Sequence, residues 1–367
     1  MKLKHLLNIG NRIVYLLAGI NIIFVCIMFV AGYSDHLNPN SFPLLSVAGL
    51  TLPIFIFSVV AFMLFWLLIK PKYTIISIVG LLLCYSPIRS YFPINIKHET
   101  TEKTIKVLSY NVMMFALCDN YYDKNNEILQ YMLQSDADII CLQEAQTEPD
   151  IYDMLKREMS KKNYYTDSVK KSKSFNTLIL FSKYPILGHE KILYESTSNQ
   201  SVAYYLNIDG DSVMVINNHF ESNRISRKEK NDIRQIIRGG MSKDSIKADA
   251  KLLISKLIEA NKTRSRQVDS VAKFIDNSKI KSIIVCGDFN DNPNSYTHWQ
   301  LNRRLTDCYR ESASGLGFSY KHGGINVRID NIMCTKNFRP YECKVDSKMP
   351  FSDHFPILCK LKKQSKP

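Results

Sequence analysis

Residues 13–32 contain no charged side chain, and neither do residues 44–69. Inside a bilayer a run of that kind folds as a helix, which alone satisfies every backbone N–H and C=O within one segment. About 20 apolar residues cross the hydrocarbon core, so both runs are long enough. Residues 73–88 make a third, shorter run. It reaches that length only by continuing past Arg89 through Tyr91 and Phe92, with the guanidinium snorkelling toward the headgroups. A cleaved signal peptide would also begin with Lys2, Lys4 and Arg12, but the first run is long for one and no small-x-small cleavage site follows. The expected division is an anchor over 1–94 with spans near 13–32, 44–69 and 73–92, a polar linker over 95–103, and one large domain over 104–362.

Lysine and arginine placement sets the orientation. Lys2, Lys4 and Arg12 precede the first run and Lys70 and Lys72 follow the second, whereas 33–43 has no Lys or Arg. Basic residues concentrate in cytoplasmic loops, so the N-terminus and the 70–72 turn face the cytoplasm. Three crossings then place the large domain outside, on a plasma or inner membrane. If the third run only lies in the interface, the domain stays inside. The cysteines pull the other way. Seven of the nine fall in the large domain, without a CxxC or metal-like Cys/His spacing, a usage that suits a reducing compartment. The topology outweighs them, because an exported protein need not use disulfides.

Beyond the linker the pattern is mixed α/β of the α+β kind. Strands are expected near 104–110, 138–143, 177–182, 202–208, 212–219, 282–287, 327–334 and 355–360. Helices are expected near 123–134, 150–160 and 244–276. The last rests on Ile246, Ala250, Leu253, Ile254, Leu257 and Ile258, continued by Val268, Val271, Ala272 and Ile275, an apolar face at helical spacing that reads as core. Consecutive strands without intervening helices argue against a doubly wound sheet.

Several apolar runs deliver polar side chains at their ends. Ile283 to Cys286 leads through Gly287, read as a sharp turn, to Asp288 and Asn290, which alternation puts on one side. Ile105 to Tyr110 leads to Asn111, Asp138 to Leu142 leads to Gln143 and Glu144, and Val213 to Asn218 leads to His219. Any one of these could be a plain strand-to-turn junction, since Asn, Asp and Gly dominate turns. Together, Ser-Tyr-Asn (109–111), Leu-Gln-Glu (142–144), Asn-His-Phe (218–220), Gly-Asp-Phe-Asn (287–290), Ile-Asp-Asn (329–331) and Ser-Asp-His (352–354) resemble the endonuclease/exonuclease/phosphatase superfamily, in its order and over roughly 104–361.

That resemblance implies a two-sheet β-sandwich flanked by helices, with the site at one edge, and a metal-dependent phosphoesterase activity. A phosphodiester is anionic and resists attack, so its charge must be neutralised and a water activated. Glu144 is the expected main carboxylate ligand of Mg²⁺ or Mn²⁺, with Asn111 at the same site and Asp353 as a second ligand; Mg²⁺ takes few protein ligands. By the resemblance, Asp330 holds the imidazole of His354 against the scissile phosphate. Asp288 handles proton transfer, and Asn290 and His219 donate to the phosphate. Arg266 and Gln267 lie where relatives carry an Arg-x-x-Gln or similar pair, without a catalytic assignment. Residues 176–185 resemble the family's strand before a Ser-Lys/Arg-x-Pro turn but lack the Gly often found just before that strand. Tyr164 and Tyr165 are only candidates for the residue that nucleases of the family use from this region.

The chain's net charge is +14, and residues 1–98, with seven Lys/Arg and one Asp, leave +8 for the rest. Residues 223–266 hold 13 Lys/Arg against five Asp/Glu, a basic field that favours anionic partners. The segment reads more readily as a solvated helix face than as a binding strip, and its lack of aromatics argues against base stacking. The expected activity is hydrolysis of phosphodiester bonds in a phosphate-ester substrate, with nucleic acid as the first candidate and phospholipid as the second. The alternatives are a phospholipase C-like or sphingomyelinase-like phosphodiesterase or phosphatase and, third, a catalytically inactive module that binds anions.

Overall fold

The computed structural model describes residues 2–96, 98–146, 148–171, 176–226, 229, 243–322 and 325–364. Part of the basic segment, including Arg227 and Lys228, lies outside the described residues.

Helix α1 (Lys2–Gly32) and helix α2 (Leu52–Ile69), the latter preceded by a 3₁₀ segment Leu45–Thr51, are each long and apolar enough to cross a membrane. The third run is broken. After a 3₁₀ turn at Pro71–Tyr73, α3 (Thr74–Leu83) and α4 (Tyr85–Tyr91) meet at 66°, so they count as one bent span or none. The three segments pack together through Met28, Ala31, Leu52, Val59 and Cys84. Gly80 is needed there, since a Cβ would stand 2.7 Å from Val25. Inside the bundle Asn21 donates to Ser77 at 3.0 Å, a polar tie that apolar surroundings favour.

The large domain is a sandwich of two six-stranded mixed sheets. The first contains β1 (Ile105–Asn111), β2 (Ile139–Gln143), β3 (Tyr165–Lys170) and β4 (Thr177–Ser182). The second begins with β5 (Ile186–Ile192), β6 (Gln200–Ile208), β7 (Asp211–His219) and β8 (Ser282–Asp288). Short β9 (Thr306–Asp307) follows, and β10 (Tyr320–His322) with β11 (Ile325–Val327) forms a separate hairpin. β12 (Asp330–Cys334) joins the second sheet, and β13 (Phe338–Val345) and β14 (Ile357–Lys363) join the first. The orders are β13-β14-β1-β2-β4-β3 and β5-β6-β7-β8-β12-β9.

Alternate residues of both sheets, among them Val107, Cys141, Leu180, Tyr204, Val215, Cys286, Ile332 and Cys359, meet in one core between them. The thiols of this core behave as small hydrophobes. Helices α5 (Glu127–Ser135) and α6 (Pro149–Ser160) cover the outside of the first sheet, and α7 (Lys243–Asn277) covers the second through Val268, Val271 and Ile275. Asn126 caps α5 by accepting from Leu129 N at 3.0 Å. The two-sheet expectation is met. The strand expected at 327–334 is two, with Arg328 and Ile329 between β11 and β12. The edge strands β3, β5 and β13 and helices α8 (Tyr296–Asn302) and α9 (Cys308–Ser312) have no counterpart in the expected elements.

Each sheet has one parallel pair, β1 with β2 and β7 with β8. Parallel neighbours end at the same edge, so their last residues lie side by side: Asn111 against Gln143, and His219 against Asp288. Antiparallel β12 then starts where β8 stops, placing Asp330 opposite Asp288.

Candidate active site

Side chains from both sheets converge at that shared edge. Asn111 Nδ2 donates to Glu144 Oε1 and to Asp288 Oδ2, at 3.1 Å each, and so links the sheets. Its Oδ1 accepts from Met113 N at 3.1 Å. Glu144 has φ of 49°, and Met113, Met114 and Phe115 are also left-handed, with Met114 N donating to the Glu144 carbonyl at 2.8 Å. Four non-glycine residues held this way beside one site are the kind of backbone strain that a fold retains where geometry matters. Ser352 Oγ donates to the Asn111 carbonyl at 2.7 Å and fixes the loop before β14.

Asp288 is buried. Its Oδ1 accepts from Asn290 N at 2.8 Å and its Oδ2 from Asn290 Nδ2 at 3.2 Å. Asn290 reaches it through a left-handed backbone, φ 53°, rather than by the extended alternation expected from sequence. Gly287 is not a turn either. It lies within β8, where a Cβ would stand 2.0 Å from the Asn218 carbonyl oxygen, so glycine allows β7 and β8 to approach. Burial raises the Asp288 pKa; His354 and His219 oppose that, and Asp330 adds to it.

His354 lies between two carboxylates. Its Nδ1 is 2.9 Å from Asp330 Oδ2 and its Nε2 is 3.6 Å from Asp288 Oδ2. Burial alone would lower its pKa, but Asp330 and Asp288 outweigh that and hold it up to about 10. Asp330 N and Ile329 N both donate to Ser319 Oγ at 3.0 Å, which locks the start of β12. Tyr320 meets the His354 ring edge-on, centroids 5.0 Å apart. His219 Nδ1 is 2.8 Å from Asn176 Nδ2, which leaves Nε2 as the ring nitrogen turned toward the site. That nitrogen faces Glu144 Oε1 at 3.5 Å and Asp288 Oδ2 at 3.7 Å.

These groups open into a cavity of about 210 Å³ lined by Glu144, Asn223, Arg224, Asp288, Asn290, Tyr320, Asp353 and His354, among others. All eight expected residues thus lie at one edge. Asp353 contributes to the wall, and its carbonyl accepts from Lys321 N at 3.2 Å. Arg266 points away and donates to Asn40 Oδ1 at 3.2 Å. The buried arginine of that helix is Arg264, which holds the Glu221 carbonyl at 2.7 Å and Asp291 at 3.2 Å. Asn176, Ser319, Tyr320 and Ser352 escape a reading of strand ends because each acts through a long-range contact. Among them only Ser352 belongs to a quoted motif.

Two arrangements could receive a cation. Ligand atoms of Asp288, Asp330 and His354 lie within 4.8 Å of one another. There, however, His354 Nδ1 is already engaged with Asp330 at 2.9 Å, and Asp288 accepts from Asn111 and Asn290. Glu144, one-third exposed toward the cavity, and Asp353 on the same wall supply the hard oxygen donors that suit Mg²⁺ or Mn²⁺. The donor set fits such an ion there.

A mixed two-sheet sandwich with carboxylates, amides and imidazoles gathered at one edge defines a phosphoesterase-type fold and site. The Endonuclease/Exonuclease/phosphatase family matches residues 108–354, two-thirds of the chain, and this protein belongs to that family, whose members are hydrolases of phosphoester bonds. Residues 11–91 match a domain of unknown function, DUF8431. No curated protein matches the chain. Among solved structures, the human Nocturnin catalytic domain with bound sulfate is 16% identical, with a TM-score of 0.50 over 74% of this chain and 97% of that one. D. rerio TDP2 complexed with a single-strand DNA product is 15% identical, with 0.51 over 71% and 100%. An endonuclease/exonuclease/phosphatase from Bacteroides vulgatus is 14% identical, with 0.50 over 72% and 100%. At such identities the likeness concerns the fold.

Proposed function

We propose that this protein is a membrane-anchored phosphoester hydrolase that uses Mg²⁺ or Mn²⁺, with 1–94 as anchor, 95–103 as linker and 104–362 as the hydrolytic domain. The observation that carries the reading is the convergence of Asn111, Glu144, His219, Asp288, Asn290, Asp330, Asp353 and His354 on one cavity edge. Glu144 and Asp353 would hold the ion, with Asn111 orienting Glu144. Bound there, the ion would neutralise phosphate charge and make a water more acidic. Asp330 fixes the His354 ring, whose positive charge faces the phosphate. Asp288, buried and held by two hydrogen bonds from Asn290, takes the proton of the attacking water or returns one to the leaving oxygen. Asn290 and His219 donate to non-bridging oxygens.

The test is turnover of bis(p-nitrophenyl) phosphate, DNA, RNA and phospholipids by the full chain with Mg²⁺ and with excess EDTA. Turnover in Mg²⁺ that EDTA removes is the expected result, and turnover indifferent to EDTA overturns the metal. Nucleic acid stays in the panel because the D. rerio relative was captured with a single-strand DNA product.

The anchor's geometry supports an extracytoplasmic site. The loop after α1 and the end of α4 both touch the large domain, through Asn40 with Ser265 at 2.8 Å and Tyr91 with Asn292 at 2.9 Å. The basic 70–72 turn lies at the far end of α3. By positive-inside the domain then sits outside. A C-terminal alkaline phosphatase fusion should be active and a C-terminal fluorescent-protein fusion dark. The reverse would mean that the bent third segment does not cross.

A further inference from the structure

The loops that carry the catalytic groups rest on the ends of the anchor helices. Six residues beyond Asp288, Asn294 Nδ2 donates to the Ala31 carbonyl at the end of α1, at 3.0 Å. Tyr91 donates to Asn292 Oδ1 at 2.9 Å and to the Gly49 carbonyl at 3.1 Å. Arg328, two residues before Asp330 and fully buried, donates to the Ser90 carbonyl at the end of α4. Its other terminal nitrogen holds the Leu316 carbonyl at 2.8 Å, and its plane lies 4.1 Å over the Tyr309 ring. The cleft is thereby tied within a few residues of the ends of these helices; with the helices in a bilayer, that would bring it close to the headgroups, whose layer is about 5–7 Å deep on each side of the hydrocarbon core.

An apolar strip leads from the anchor to the cleft. Segment 92–96 runs along loop 313–316, with Gly315 N donating to the Pro93 carbonyl and Asn95 N to Ser314 Oγ, at 2.9 Å each. Phe92, Ile94 and Ile96 on one side and Leu316 and Phe318 on the other are all exposed, between 38% and 81%. Ser319 and Tyr320 follow directly, and Tyr320 lines the cavity against His354. Exposed apolar side chains gathered on two adjoining segments mark a surface that meets a partner or a membrane. This strip continues the bent α3–α4 pair, which packs against the two helices apolar enough to span, and that continuity selects the bilayer as its occupant.

We infer that the strip seats in the headgroup–acyl boundary and that the substrate is a phosphate ester carried on a membrane amphiphile, brought to Tyr320 and His354 from within the leaflet. This rests on the phosphoesterase reading above and names its substrate class. Free nucleic acid would instead have to approach past the bilayer surface.

The full chain, reconstituted in phosphatidylcholine vesicles with Mg²⁺, should be assayed on three substrate sets. These are vesicle-borne phosphatidylglycerol, phosphatidylethanolamine and phosphatidic acid; their short-chain soluble counterparts; and bis(p-nitrophenyl) phosphate with a single-stranded oligonucleotide. At least one vesicle-borne lipid should be turned over with kcat/KM about tenfold or more above its soluble counterpart and above the oligonucleotide. Leu316→Ser with Phe318→Ser should remove most of that advantage while leaving bis(p-nitrophenyl) phosphate turnover unchanged, which also controls for folding. Turnover of the soluble diester without preference for any vesicle lipid, or a preference untouched by the double variant, overturns the inference and leaves the hydrolase reading standing. No turnover of any substrate overturns both.

Discussion

Glu144→Gln is expected to abolish turnover, by about 10³-fold or more, while the protein stays folded. The substitution keeps side-chain volume and the acceptor for Asn111, but removes the anionic oxygen that makes the position suit Mg²⁺. Three orders of magnitude correspond to about 4 kcal/mol of lost transition-state stabilisation. The fold should tolerate the change. Glu144 is partly exposed, and losing its charge relieves repulsion with Asp288, which receives the same amide of Asn111. The melting temperature should therefore hold or rise. Mn²⁺ titration followed by electron paramagnetic resonance gives a readout independent of activity, and binding should weaken at least tenfold. Wild-type turnover in this variant would falsify the placement of the ion.

The second large effect is non-additive. His354→Ala should lower kcat by about 10²–10⁴-fold, the range for a positioned side chain that acts on the reacting group. It should also destabilise the fold by about 3–5 kcal/mol, because the Asp330 carboxylate is then left buried without its partner beside Asp288. Asp330→Asn alone should impair kcat through the misplaced imidazole. Added to His354→Ala, it should cost little further activity and should recover part of the lost stability, since an amide is cheaper to bury than an unpaired charge. Thermal melts and kcat on bis(p-nitrophenyl) phosphate for all four members of the cycle decide it. Additive losses, or a double variant less stable than His354→Ala, would mean that Asp330 has a role apart from His354.

What the sequence discloses here follows from burial on both faces. β1, β2, β7 and β8 lie between a core and a covering helix, so they read as unbroken apolar runs, and their last polar residue marks the site edge. β3, β5 and β13 lie at or near sheet edges with one face toward solvent, and stretches such as Gly188-His189-Glu190-Lys191 carry too little apolar pattern to announce a strand. The eight candidate residues that the fold gathers at one edge were legible because each lies at or just beyond the end, or near the start, of such a run. Asn176 and Ser319 were not, because what qualifies them is the group they meet 43 and 11 residues away. The left-handed backbone at Met113–Phe115 was equally hidden, since no Gly or Asn marks it. Nothing in the sequence around Asp330 shows that the Arg328 guanidinium reaches the Ser90 carbonyl at the end of α4.

The pairing of β1 with β14 has a consequence for biosynthesis. Ile105 finds its partner in Leu361, so the first sheet closes only after nearly the whole domain has been made. At 5–20 residues per second, that interval lasts roughly 10–50 s, during which β1 has no antiparallel neighbour and His354 does not yet exist. The N-terminal helices, two of them long and apolar enough to cross a membrane, are made first and are complete throughout that time. The domain behind them is still an open chain, the form that can thread a translocation pore. Because the first sheet closes with its last strand, the edge where Asn111, Asp288, Asp330 and His354 meet is completed only once both ends of the domain have been made.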